Sequence, residues 1–150
     1  MATMRREIWI DRSADDVWSV VGDPLAVTRW FPGTTAVELE GDQRTITLAS
    51  GLPLIARIAV HPELRRFQYR LLGALPVDEH LTSIDVIPVP VPGNHDDGSG
   101  AGNGGAGARC LVVYSTDVVP HALAPIIDGA VGEALTTLRD LMEQTDKEVV

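Results

Sequence analysis

The last long stretch of this chain, Ala122 to Gln144, reads as one amphipathic helix and limits what the rest can be. On a helical wheel Leu123, Ile126, Ile127, Ala130, Val131, Ala134, Leu135, Leu138, Leu141 and Met142 fall on one half. Asp128, Glu133, Arg139, Asp140 and Glu143 fall on the other. At about 1.5 Å per residue the helix would run roughly 33 Å, about the width of a seven-stranded sheet at roughly 4.8 Å per strand. A stripe of that length needs a whole sheet to cover it. Ala130, Gly132 and Ala134 put small residues mid-helix, where a glycine costs about 0.5–1 kcal/mol relative to alanine. They point either to close backbone packing or to room left for a guest between helix and sheet.

The segments ahead of that helix supply the sheet. Glu7 to Asp11 reads as a short strand with Ile8 and Ile10 on one face. Ser13 then offers an N-cap, with Asp16 three residues on as an acidic variant of the capping box. The short helix that follows carries Val17, Trp18, Val20 and Val21, and Gly22-Asp23-Pro24 turns it into a second helical stretch, Leu25 to Trp30. After Phe31-Pro32-Gly33, Thr35 to Glu40 and Arg44 to Ala49 form a hairpin through Gly41-Asp42. Leu54 to His61 and Arg66 to Leu72 form another around Pro62-Glu63, and Val77 to Ile87 and Cys110 to Val118 complete the set. The order is strand, two short helices, six strands, long helix, an α+β arrangement.

At 150 residues the chain suits one domain. A formal charge of −9, with Arg5-Arg6 and Arg65-Arg66 as the only basic pairs, argues against nucleic acid and anionic lipid as partners, because both need a basic patch. The single cysteine, Cys110, excludes an internal disulfide and suits a reducing compartment. The N-terminus turns polar before a signal-like apolar core can form, and Pro53 and Arg57 break the apolar run from Leu48 to Val60. A cytoplasmic protein without membrane insertion is expected, as a monomer or a homodimer. Residues 88–108 are rich in proline and then glycine, and read as a stiff segment followed by a flexible one. Asn94, His95, Asp96 and Asp97 within it lack a calcium-loop spacing, and the glycines match no phosphate loop, so neither metal nor cofactor is expected.

Period-two parity selects inward residues. Phe67, Tyr69 and Leu71 share one face of their strand, with Leu54, Ala56, Ile58 and Val60 as partners on the neighbouring one, while Arg57 and His61 point outward. Val77 to Ile87 is ambiguous: either Leu81, Ser83 and Asp85 face in, or His80, Thr82, Ile84 and Val86 do. The last strand likewise offers Leu111, Val113, Ser115 and Asp117 on one face and Cys110, Val112, Tyr114 and Thr116 on the other. No nucleophile constellation is evident, since Cys110 and Ser115 lie on a strand with no elbow motif and His121 sits beside Pro120 at the helix start.

The opening Ile8-Trp-Ile-Asp-Arg-Ser-Ala-Asp-Asp-Val-Trp18-Ser-Val-Val-Gly-Asp23, the Trp30-Phe-Pro-Gly33 bend, the strand succession and the terminal helix resemble the START-like helix-grip (SRPBCC) superfamily. Within it they resemble the bacterial polyketide cyclase/dehydrase and lipid-transport branch, over nearly the whole chain. The resemblance implies a helix-grip fold: a curved seven-stranded antiparallel sheet around the long C-terminal helix, two short helices after the first strand, and an apolar cavity between. Ser50-Gly51-Leu52-Pro53 is similar to the gate loop of the plant abscisic-acid receptors, which closes over bound ligand. The latch that would pair with it reads Gly73-Ala74-Leu75-Pro76 rather than His-Arg-Leu, and the lysine that holds the hormone aligns near Gly33, so only a gated cavity carries over. Alignment to those receptors favours Leu81, Ser83 and Asp85 as inward, which would make Asp85 an acid/base carboxylate with a raised pKa; the other reading is an exposed or paired strand aspartate.

The expected cavity therefore takes Trp30 and Phe31 at its mouth, Leu52 and Pro53 from the gate, and Ala56, Ile58, Phe67, Tyr69, Leu71, Leu81, Ser83 and Val113 from the sheet. Ile127, Val131 and Ala134 come from the helix. The expected function is binding or transport of a small hydrophobic or amphipathic molecule of lipid, polyketide or isoprenoid type. A polyketide cyclase or dehydratase using Asp85, Tyr69 and Ser83 is one alternative, and a protein-interaction module with a filled core is the other.

Overall fold

The computed structural model describes residues 2–73, 77–90 and 108–148. Seven antiparallel strands form one sheet in the order β1-β7-β6-β5-β4-β3-β2, with β1 (Ala2–Ile10) and β2 (Thr34–Glu40) at its edges. Between β1 and β2 lie α1 (Ala14–Val21) and the single-turn α2 (Val27–Trp30). Then come β3 (Gln43–Leu48), β4 (Pro53–His61), β5 (Arg66–Gly73), β6 (Glu79–Val89) and β7 (Arg109–Val119), and α3 (Ala124–Glu148) follows a turn at His121–Leu123. This is the helix-grip arrangement that the family resemblance implies.

Local chemistry explains the joints. Ser13 caps α1, its hydroxyl accepting from the Asp16 N–H at 3.1 Å, as the capping pattern requires. Asp23 caps the next turn through the Leu25 N–H at 3.0 Å, and Pro24 stands at its first position, where no N–H is needed. Gly22 permits α1 to end tightly, because a Cβ there would lie 2.6 Å from the Trp18 ring. Arg12 donates to the Asp16 carboxylate at 3.0 Å and to the Met142 carbonyl at 2.6 Å, joining the start of α1 to the last turns of α3.

Several boundaries differ from the sequence reading. β1 begins at Ala2 rather than Glu7, because its whole length pairs with β7, from Ala2 opposite Val118 to Ile10 opposite Cys110. β6 runs from 79 to 89 rather than 77 to 87 and takes in Pro88. The proline is tolerated because the β5 partnership described for β6 spans only Thr82 to Asp85, so no described β5 bond is lost at Pro88. Of the expected flexible loop, residues 88 and 89 are strand, and positions 91–107, with Asn94, His95, Asp96 and Asp97, lie outside the described residues. Ala74, Leu75 and Pro76 of the latch-like segment do as well.

The core is off-centre. Ile10, Val17, Phe67, Ile84, Val86, Val112, Leu135, Leu138 and Met142 form one buried cluster between α1, the C-terminal half of α3 and the middle of the sheet. The N-terminal half of α3 is held differently. Arg6 of β1 makes a bidentate contact to Asp128, at 2.9 and 2.8 Å. Its guanidinium lies where a Gly132 Cβ would be, 2.8 Å from Nη1, so Gly132 makes room for a side chain. It accommodates neither a backbone nor a guest. Among the described residues no helix is long and apolar enough to cross a membrane.

Candidate functional site

Where the N-terminal half of α3 crosses β3, β4 and β5, the space between them is not filled. A cavity of about 470 Å³ lies there. Its wall takes Ile46 and Leu48 from β3, Leu54 and Ala56 from β4, Phe67, Tyr69 and Leu71 from β5, and Ile84 and Tyr114 from the next two strands. Ile126, Ile127, Ala130 and Val131 of α3 form the opposite side, and Val21, Val27, Trp30 and Phe31 close one end. The mouth is marked by exposed wall residues, Gly33, Ala49, Ser50 and Ile126, the last 73% exposed. The two loops beside it are tied by the Ala49 N–H donating to the Gly33 carbonyl at 2.7 Å.

Besides Asp23, Thr34 and Ser50, four polar side chains, Arg44, Tyr69, His80 and Tyr114, interrupt this apolar lining, and the strands explain why they point inward. Arg44 shares its face of β3 with Ile46 and Leu48 by simple alternation, and it is 4% exposed. Its guanidinium sits over the Phe67 and Tyr69 rings, 4.9 and 5.6 Å from their centroids, and its Nη1 donates to the Pro24 carbonyl at 3.2 Å. Its Nε has no hydrogen-bond partner, nor has Trp30 Nε1. Among the described residues no carboxylate lies within salt-bridge distance of Arg44. Burial holds the Arg44 pKa below its usual value, yet a guanidinium stays charged at neutral pH.

The Tyr69 and Tyr114 hydroxyls meet at 2.5 Å. Burial, then the neighbouring Tyr69, pushes the Tyr114 pKa well up, so Tyr114 stays protonated. His80 is fixed in one tautomer. Its Nδ1 accepts the Leu71 N–H at 3.2 Å, so the ring proton is on Nε2, which donates to the Thr82 hydroxyl at 3.1 Å. Thr82 in turn is free to donate to Thr116 Oγ1 at 2.8 Å. Burial, with Arg70 as a lesser cause, lowers the His80 pKa to about 4. Both ring nitrogens are thereby occupied, and His80 is a neutral strut of the wall rather than a free base.

The sequence-expected residues divide. Trp30, Phe31, Ala56, Phe67, Tyr69, Leu71, Ile127 and Val131 line the cavity. Ile58 and Ala134 are buried in the packed cluster beyond it. Leu52 and Pro53 turn outward, Leu52 being 37% exposed, while Ala49 and Ser50 of the same loop reach the wall. Gly51, at φ 91°, makes the turn that sends Leu52 away.

Leu81, Ser83, Asp85 and Val113 lie on the other face of the sheet, so the register favoured by alignment to the plant receptors is corrected. Residues directly opposite in an antiparallel pair share a face. Phe67 points in and stands opposite Ile84, which stands opposite Tyr114, so the inward set is His80, Thr82, Ile84 and Val86 with Val112, Tyr114 and Thr116. Asp85 falls opposite Arg66 and binds it at 2.7 Å, a cross-strand ion pair away from the cavity. It is not placed for acid/base work there. Arg44 and Tyr114 were not singled out from the sequence. The signal for Arg44 was present in the alternation with Ile46 and Leu48.

Cys110 is fully buried, and burial pushes its thiol up to about 11, so it offers no thiolate. Among the described residues no group of three or more His, Cys, Asp or Glu is placed to hold a metal ion.

Comparison with known proteins agrees with this fold. A search of curated proteins finds no significant sequence match. The solved structure of the protein XoxI from Bacillus cereus superposes with a TM-score of 0.79 at 21% identity, covering 97% of this chain and 99% of that one. A START superfamily protein from Mycobacterium smegmatis gives 0.66 at 15% identity, covering 99% of each chain. The di-domain ARO/CYC protein BexL gives 0.68 at 22% identity, with 97% of this chain matching 47% of that one. At these identities the likeness is one of fold. The profile of the family described as polyketide cyclase / dehydrase and lipid transport matches residues 1–143, and the chain belongs to that family.

Proposed function

We propose that the protein binds a small hydrophobic or amphipathic molecule in the cavity between sheet and α3. One observation carries this: about 470 Å³ of space, walled chiefly by aliphatic and aromatic side chains from five strands and a helix, left open beside a well-packed core. A chain that has packed Leu135, Leu138 and Met142 to under 5% exposure has the means to fill a void, yet it places Ala56 and Ala130 along this one. An interaction module with a filled core needs the opposite interior. The reading requires no nucleic-acid partner, and a formal charge of −9 works against one.

A second reading, cyclisation or dehydration of a poly-β-ketone in the same cavity, is favoured by its interior polar groups. A hydroxyl of the Tyr69–Tyr114 pair could donate a proton to the carbonyl oxygen under attack, while Arg44 stabilises the enolate of the attacking carbon, whose α-proton leaves to water in the cavity. In this reading Tyr69 and Arg44 take the roles that Asp85 and Ser83 cannot.

Native mass spectrometry of the protein purified from its own host tests the proposal. A small molecule present in the native spectrum and lost on denaturation supports it. No copurified molecule, together with no thermal shift across a panel of lipids and aromatic polyketides, overturns it.

A further inference from the structure

We infer that the cavity's ligand is an acid, an apolar molecule that presents an anionic oxygen, most simply a carboxylate, to Arg44. This rests on the proposed function and adds the ligand's polar chemistry. The cavity wall has more hydrogen-bond donors than it uses. Arg44 is 96% buried by its 4% exposure, spends Nη1 on the Pro24 carbonyl, and leaves Nε unpaired. Trp30, 3% exposed on the same wall, leaves Nε1 unpaired. Tyr69 and Tyr114 share one hydrogen bond between two hydroxyls, which frees one O–H.

Acceptors are scarce on the same wall. Among the described residues the one carboxylate that reaches it, Asp23, is exposed and already caps the Leu25 N–H. His80 has both nitrogens occupied. A guanidinium taken out of water without a counter-charge is expensive to keep, and a buried donor without an acceptor is costly in the same sense. Ile46 and Leu48, on the same face of β3, show that this surface accepts aliphatic side chains. A carboxylate arriving with the ligand supplies the missing charge and brings an acceptor to this donor-rich wall. Amines meet a resident cation, and neutral ligands leave it unpaired.

The test compares isosteric probes on the purified full chain, by calorimetry in one buffer: 2-naphthoate against 2-naphthamide, and dodecanoate against dodecanol so that an elongated shape is also sampled. The wild type should prefer the acid of at least one pair by about tenfold or more, the size expected of a desolvated charge-assisted contact. Arg44→Met keeps an unbranched stem out to about the Nε position without the charge, and should bring acid and neutral probe within about threefold while still binding the neutral one. Should Arg44→Met not fold, Trp30→Phe removes a single donor and should narrow the preference severalfold.

Equal affinity for acid and neutral probe in the wild type overturns this inference and leaves the hydrophobic-ligand reading standing. An undiminished acid preference in Arg44→Met also overturns it. Failure of all four probes counts against both readings.

Discussion

His80 makes the protein's stability depend on pH in a way that can be worked out in advance. Its imidazole is held neutral, accepting the Leu71 N–H at Nδ1, and burial lowers its pKa to about 4 from an ordinary 6.5. The unfolded chain therefore binds a proton that the folded chain refuses between those two values. Stability is complete above about pH 6.5 and falls as the pH drops towards 4. For a single site with these constants, the loss between about pH 7.5 and pH 5 is about 2 kcal/mol. The ring borders a cavity that water can enter, so about 1–2 kcal/mol is the working range. Urea unfolding at both pH values, for the wild type and for His80→Gln, isolates the effect. Glutamine can accept the Leu71 N–H and donate to Thr82 without titrating, so the variant should lose about 1–2 kcal/mol less than the wild type on acidification. If both lose equal amounts, or if the wild type gains stability at the lower pH, the reasoning about His80 is wrong.

Two further substitutions probe particular contacts. Gly22→Ala drives a methyl to within 2.6 Å of the Trp18 ring and should lower unfolding stability by about 1–3 kcal/mol in denaturant titration. Asp85→Asn breaks an outward ion pair whose Arg66 partner is 41% exposed, so it should cost under about 1 kcal/mol and leave affinity for any cavity ligand unchanged by calorimetry.

The architecture was legible because its signals are local and repeated. The stripe from Leu123 to Met142 declares a helix with a sheet to cover, Ser13 and Asp16 declare where α1 starts, and Phe67, Tyr69 and Leu71 declare the inner face of β5. The inner face of β6 was not legible, since both of its alternating sets mix polar and apolar residues. What decides it is the pairing of Phe67 with Ile84 and of Arg66 with Asp85, and a long-range register leaves no mark on β6 alone. Arg44 was obscured for another reason: charged side chains are usually exposed, and the parity that turns this one inward runs against that expectation. Gly132 suggested a gap for backbone or ligand, whereas the space belongs to Arg6, about 126 positions away in sequence. The half of the site built on β5 and α3 was therefore readable, the alternation of β3 carried Arg44, and the polar groups on β6 and β7 depend on partners that only the fold brings together.

The central claim is that the space between sheet and α3 is a ligand site, and amide and side-chain NMR shifts on titration with the probe acids test it most directly. The account predicts saturable shifts centred on Trp30, Phe67, Tyr69, Ile127 and Val131, with the outer-face residues Trp9, Leu111 and Asp85 unmoved. Shifts confined to that outer face, or none around the cavity at saturating probe, would contradict it.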